Sequence, residues 1–458
     1  MKDLTSGNIY KNFILFGLPS VLTTVLTLAQ QTINTAVAGR YLSEEGLAAV
    51  GAMSGTIQLV NSAIWGAGVG FAVYIAKVFG SKNYKKLKND IISGAIYNTA
   101  LCLVIGLAML IFKNPLYSLM QVDQSILKET NVYFTFWACE LVITHLAGYL
   151  TYVMHATGSS SYPFVVSLVS AVINIGVAVV SITKLDLGVM GLSIATICSG
   201  LVKAILYAIN ILSNFKKLGV GKGFEFNKNI IKVSWRYFLP SSLQQISIYL
   251  AGAMLSPYIN GISASATAGY NVVNKIYNIN ANIYQASAKT VSNYCAQSVG
   301  ARKYDKIHRG VFVGLLQGLL FVSIPLFITV FFPKQISLIF FPAGFEGESL
   351  NLAVLFCRYY MPFILFNVIN NLFHAFMRGI ADMKNLFIST FIGAMANLGL
   401  SCLFAYGFNM GMKGVFLGWA MSWIVEAVYI FIVFLIKYRT KEMIIKVLTK
   451  REKILSRE

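Results

Sequence analysis

Charge is scarce in this 458-residue chain: 12% of its residues are Asp, Glu, Lys or Arg, about half the share an ordinary globular protein carries. Acid is scarcer still, with 17 Asp and Glu against 37 Lys and Arg. A soluble fold of this length has no means of keeping so much apolar surface from water, so a purely globular protein is excluded. The six cysteines, Cys102, Cys139, Cys198, Cys295, Cys357 and Cys402, stand singly inside apolar runs. Without paired or ligand-like spacing they read as small hydrophobes rather than as disulfides or metal ligands. Alternation of apolar and polar residues over about ten positions is also missing, which rules out a membrane β-barrel. No HExxH pair, nucleophile elbow or metal-spaced cluster appears. The glycine run WGAGVGF (Trp65 to Phe71) only superficially resembles a nucleotide loop; with no strand before it, it suits close helix packing.

Hydrophobicity fills the space that charge leaves. Apolar residues make up 57% of the chain, and the mean hydropathy is +0.67. About 20 apolar residues cross a bilayer as helix, so the chain has room for about a dozen spans. Runs bounded by charged or turn-rich breaks predict them at 12–38, 46–76, 90–112, 131–156, 162–183, 188–213, 230–258, 264–297, 308–332, 350–377, 385–408 and 412–437. The fold class is thus all-α integral membrane, and the first run, too long for a signal-peptide core, is read as a retained span.

The net charge of +20 sits in the connections rather than in a nucleic-acid-binding face. Breaks after even-numbered spans hold Lys82, Lys85, Lys86 and Lys88, then Lys216, Lys217, Lys222 and Lys228, then Arg302, Lys303, Lys306 and Arg309. Breaks after odd-numbered spans hold Glu44, Glu45, Asp123, Asp186, Glu346 and Glu348. Positive-inside bias therefore places both termini in the cytoplasm of a cell whose plasma (inner) membrane holds the protein. The basic tail also makes membrane lipid an expected partner.

The chain repeats itself. VFGSKNYKK (Val78 to Lys86) returns as SVGARKYDK (Ser298 to Lys306), and Leu18-Pro19-Ser20 returns as Leu239-Pro240-Ser241. GVMGLSIATICSG (from Gly188) returns as GMKGVFLGWAMSW (from Gly411). The nearly constant offset between these twins divides the chain into an N-terminal six-helix bundle (1–215), a cytoplasmic linker (216–229), a C-terminal six-helix bundle (230–437) and a basic tail (438–458). Six is even, so the two bundles are parallel repeats, expected to flank a cleft and to rock about it in alternating access.

Amides inside spans mark where that cleft is expected, because a buried amide without a partner costs a few kcal/mol, roughly. They are Gln30, Gln31 and Asn34; Gln244 and Gln245; Asn271, Asn274, Asn278, Asn280, Asn282 and Gln285; and Asn367, Asn370 and Asn371. Two acids lie well inside spans, Glu140 and Glu426. Glu140 is a candidate for proton or cation coupling, alongside a hydrogen-bonded structural role. Glu426, at the repeat position of Lys203, reads as structural on the bundle exterior. Lys289 either meets an anionic substrate or snorkels to water. Pro19 and Pro240 each remove a backbone hydrogen bond, so each is a candidate gating kink.

LPSVLTTVLTLAQQTINTAVAGRYLSEEGLAAVG (Leu18 to Gly51), GSKNYKK, GARKYDK, HATGSSSYP (His155 to Pro163) and MRGIADMKN (Met377 to Asn385) resemble the multidrug and toxic compound extrusion (MATE) family. The resemblance implies an antiporter that exports amphipathic, often cationic compounds and is driven by sodium or proton influx, with no cofactor. It also implies a functional asparagine at Asn174. Three carboxylates usual in the family are replaced here, by Asn34, Ala178 and Asn367. An amide cannot titrate, though its carbonyl oxygen can ligate sodium. The reading is therefore a monomeric secondary exporter of small molecules with Glu140 as the titrating group. A flippase for a lipid-linked substrate and an intramembrane enzyme using Glu140, His145, His155 and His374 are the alternatives.

Overall fold

The computed structural model describes residues 1–221, 223–342 and 344–457; Lys222, one of the loop bases named above, lies outside the described residues. Within them the chain is helix and turn, with no strand. In order come α1 (Ile9–Tyr41), α2 (Glu44–Gly80), α3 (Tyr84–Ile111), a short α4 (Lys113–Leu119), α5 (Leu127–Ala156), α6 (Ser161–Thr183) and α7 (Gly188–Lys217). Then follow α8 (Ile230–Asn260), α9 (Ala264–Gly300), α10 (Ile307–Phe331), a short α11 (Pro333–Leu338), α12 (Glu348–Leu355), α13 (Ile364–Gly379), α14 (Met383–Cys402), α15 (Gly411–Lys437) and α16 (Lys441–Arg457).

These elements make the twelve expected spans, with α12 and α13 forming one that is broken in the middle. A π turn at Phe356–Tyr360 and a 3₁₀ turn at Met361–Phe363 join them, where Pro362 cannot donate into a regular ladder. Among the described residues, nine spans are long and apolar enough on composition alone; α5, α8 and α9 fall short. Those three carry Glu140, the Gln244–Gln245 pair and the asparagine ladder of α9, and these polar residues lower their mean hydropathy. Other helices turn large apolar side chains outward: Ile111 on α3 is 73% exposed and Ile324 on α10 is 69% exposed.

Boundaries follow local chemistry. The Ser43 side chain accepts from the Gly46 N–H and Ser263 from the Ala266 N–H, which caps α2 and α9 identically at matched places in the repeat. Each of those helices is 37 residues long. The repeated basic segments are turns in which the residue two places past the glycine is left-handed, Lys82 at φ 60° and Arg302 at φ 57°. Asp186 (φ 50°) and Asn409 (φ 54°) do the same before α7 and α15. A left-handed non-glycine residue costs about 1–2 kcal/mol, so its recurrence at matched places is a stringent signature of duplication. Helix α3 starts six residues earlier than the apolar pattern predicts, because Asn83 accepts from the Lys86 N–H and caps it there. That start places Asp90 two turns inside the helix.

Two compact units result. The first comprises residues 1–3 and 18–242, the second residues 4–17 and 243–458. The chain changes unit between Gly17 and Leu18 within α1, and again between Ser242 and Leu243 within α8, beside Pro19 and Pro240 respectively.

The first unit packs α5 against α2, α3 and α7, and α6 against α7. Its core includes Met53, Ile64, Cys102, Phe134, Trp137 and Leu141. Small residues let helices approach: a methyl group added at Gly66 would lie 2.6 Å from the Ser241 carbonyl oxygen, and one at Gly70 would lie 2.9 Å from Ser241 Oγ. WGAGVGF is therefore a packing face. The second unit packs α14 on α15 and α9 on α10 and α13. An aromatic cluster of Tyr277, Phe356, Phe416, Trp419 and Trp423 fills it, with Tyr277 stacked on Trp423 at 5.7 Å between ring centroids. All six cysteines are free.

Candidate functional site

Polar groups gather in each unit. In the first, Glu140 lies half-buried on α5. His145, five residues on, points elsewhere, its Nε2 lying 3.2 Å from Asn61 Oδ1 of α2, so the two do not form an acid–imidazole pair. Asn174 on α6 is fully buried and donates from Nδ2 to Ser199 Oγ of α7 at 3.3 Å, while Ser170 donates to the Ser199 carbonyl at 3.1 Å. Buried Ala178 lies one turn further along α6.

Asn34 Oδ1 and Asn174 Oδ1 are both buried and without a hydrogen-bond partner. A buried acceptor left unmade costs roughly 1–3 kcal/mol, so two in one unit are a reserve of ligating oxygen. Gln30 is half-buried and Gln31 is exposed. In α1, Thr23 donates to the Pro19 carbonyl at 2.8 Å and Thr24 to the Ser20 carbonyl at 3.0 Å, which satisfies local backbone around the proline.

The second unit holds a larger network. Gln244 of α8 donates to Thr390 Oγ1 of α14 at 2.9 Å and accepts from Arg378 Nη2 of α13 at 3.0 Å. Gln245 beside it is half-buried, and Asn271 is exposed. Asn274 folds back to its own helix, donating to the Tyr270 carbonyl at 3.1 Å. Asn371 donates to Asn367 Oδ1 at 2.8 Å, and Asn367 donates to the Tyr277 hydroxyl at 2.7 Å. Asn370, fully buried, donates to the Trp423 carbonyl at 2.9 Å and to Glu426 Oε2 at 3.1 Å.

The sequence pattern assigns Glu426 to the bundle exterior; the structure corrects this, since the residue is 8% exposed and faces inward. Its Oε1 lies 3.3 Å from Nε2 of His374, which is itself 2.9 Å from Ser389 Oγ. The signal that could have found the pair is spacing: His374 falls four residues after Asn370, so the two share one face of α13. What sequence could not supply is that α15 turns Glu426 toward that face.

Two matches to the MatE family profile cover residues 19–180 and 240–403. The second match starts and ends at nearly the same offset from the first, which recovers the internal repeat independently. The chain belongs to the MatE family. This MatE chain is 26% identical over 360 residues to the probable multidrug resistance protein YoeA of Bacillus subtilis, with 76% of each covered. It is 22% identical over 374 residues to a FAD transporter of Shewanella oneidensis, covering 78% of this chain and 81% of that one. Its fold matches the solved structure of a MOP superfamily transporter from Pyrococcus furiosus with a TM-score of 0.85 and 18% identity, over 98% of each chain. MatE proteins are transporters, so the chain is an integral membrane transporter and not an enzyme.

Proposed function

We propose that the chain is a secondary active exporter of small amphipathic, often cationic compounds, working by alternating access and driven by proton antiport. Both termini lie in the cytoplasm, on the inner face of the plasma membrane. Glu140 carries the coupling reading: it is an acid deep within the apolar span α5, where it is half-buried. Among the described residues, no ion pair joins it to a cation. An acid inside a membrane span without a countercharge is the kind of group that proton-driven transporters load and unload. Pro19 in α1 and Pro240 in α8 support gating at those points, since each proline removes one backbone hydrogen bond from its helix.

A second reading of the driving ion is favoured by the partnerless oxygens Asn34 Oδ1 and Asn174 Oδ1, which could ligate sodium without supplying charge. The test separates the two. In cells lacking their own pumps, dye efflux is measured while the proton and sodium gradients are collapsed one at a time. Proton antiport predicts loss of efflux on collapse of the pH gradient alone, and Glu140→Gln abolishes that dependence. Unchanged pH dependence in Glu140→Gln removes this carboxylate from the mechanism.

A further inference from the structure

The second unit contains an acid–imidazole pair that the coupling reading above does not use. Glu426 and His374 are 8% and 6% exposed, on α15 and α13, and among the described residues no lysine or arginine is paired with the carboxylate. We propose that Glu426 and His374 form a second proton site, at which this unit takes up and releases one exchangeable proton during the transport cycle. The proposal rests on the exporter reading and adds to it a titrating group in the other half of the chain.

The hydrogen bonds fix which state is seen. Ser389 Oγ gives its own proton to the Leu386 carbonyl at 2.9 Å, so it must accept from His374 Nε2–H. That N–H is forked toward Glu426 Oε1 at 3.3 Å. Asn370 turns both hydrogens outward, to the Trp423 carbonyl and to Glu426 Oε2, and leaves Oδ1 buried without a partner. Every polar neighbour therefore donates to Glu426, the arrangement an ionised carboxylate requires. Taking up one proton from water turns Glu426 into a donor, and offering it Asn370 Oδ1 by a half-turn of the amide gives up the bond from Asn370 Nδ2 to the Trp423 carbonyl. The pair passes from one negative charge to none.

The other groups that face the carboxylate fit the same role. Tyr277 of α9, whose hydroxyl accepts from Asn367 at 2.7 Å, and Tyr284 of the same helix are phenols, which carry no charge near neutral pH. Arg378, one turn beyond His374, is held by Gln244. Gly393 of α14 leaves the carboxylate its room: a methyl group there would lie 2.9 Å from Glu426 Oε2. The repeat position of Glu426 in the first unit is Lys203, so the pair has no counterpart there and the two units supply unlike titrating groups.

The test uses the full chain reconstituted in lipid. Infrared difference spectra against pH report protonated carboxyl groups, and a Glu140→Gln background removes the first unit's contribution. A titrating carboxyl band is expected within the pH range scanned in Glu140→Gln. It should vanish in Glu140→Gln/Glu426→Gln, and its midpoint should move by about one pH unit or more in Glu140→Gln/His374→Gln. In parallel, Glu426→Gln in the otherwise native chain should slow ethidium uptake driven by an imposed pH gradient by about tenfold or more. A missing band in Glu140→Gln, a band that survives Glu426→Gln, or a full uptake rate in Glu426→Gln overturns the proposal. Where Glu426→Gln does not fold, Ser389→Ala keeps both titratable groups: a shifted midpoint supports the site and an unmoved one overturns it. A wild-type protein that moves ethidium under no gradient would sink the exporter reading instead, a result distinct from all of these.

Discussion

Gly393 shows how closely single residues control the buried acid. Its missing side chain is what allows Glu426 to sit beside α14, since an added methyl would approach Glu426 Cδ to 2.9 Å. Gly393→Ala should cost about 1–3 kcal/mol through overpacking. Thermal unfolding of the purified protein, followed by tryptophan fluorescence, should show a lowered midpoint, whereas an unchanged one would mean that the carboxylate yields freely. Asn34 is a residue of the opposite kind, an amide whose oxygen is buried without a partner. It can accept a hydrogen bond and cannot titrate. Residue identity of this sort is legible in sequence, as is the depth of Glu140 within its span. The partner of a buried group is not. His374 and Glu426 stand far apart along the chain, and only the packing of α13 on α15 brings them together.

Elements are legible wherever a period or a cap writes them into the sequence. All twelve spans follow from apolar runs and charged breaks, and the matched turns at Lys82 and Arg302 confirm the duplication in backbone angles. The misjudged points have local causes: Asn83 starts α3 early through a side-chain cap, and Pro362 breaks the tenth span into two helices with a π turn. Hydropathy cannot register a cap or a π turn, because neither changes the average polarity of a run. The glycines of α2 carry an element-scale prediction. Gly66→Val and Gly70→Val push a side chain into the backbone of α8 near Ser241, within the first unit. Each should lower stability by about 1–3 kcal/mol. Gly55, with nothing within 4 Å of an added methyl, is the matched control, and Gly55→Ala should leave the unfolding midpoint close to that of the native chain.

At the scale of the whole molecule, the linker after α7 is fastened to the first unit rather than left free. Asp90, fully buried, accepts from the Tyr74 hydroxyl and from Asn227 Nδ2, each at 2.7 Å. Lys88 Nζ donates to the carbonyls of Gly221 and Gly223 at 2.6 and 3.1 Å, and the Asn227 N–H donates to Ser93 Oγ at 3.0 Å. Asp90→Ala leaves two partly buried donors without their acceptor, at roughly 1 kcal/mol each. Limited trypsin digestion should then cut near Lys216, Lys217 and Lys228 faster than in the native chain, and an unchanged rate would show that the other bonds suffice.

The whole reading comes down to active transport by the purified chain. In vesicles holding this protein alone, an imposed pH gradient should drive ethidium to accumulate against its own gradient, with protons moving the opposite way, and a protonophore should stop it. Accumulation that ignores the protonophore, or none under either a pH or a sodium gradient, would contradict a proton-driven exporter.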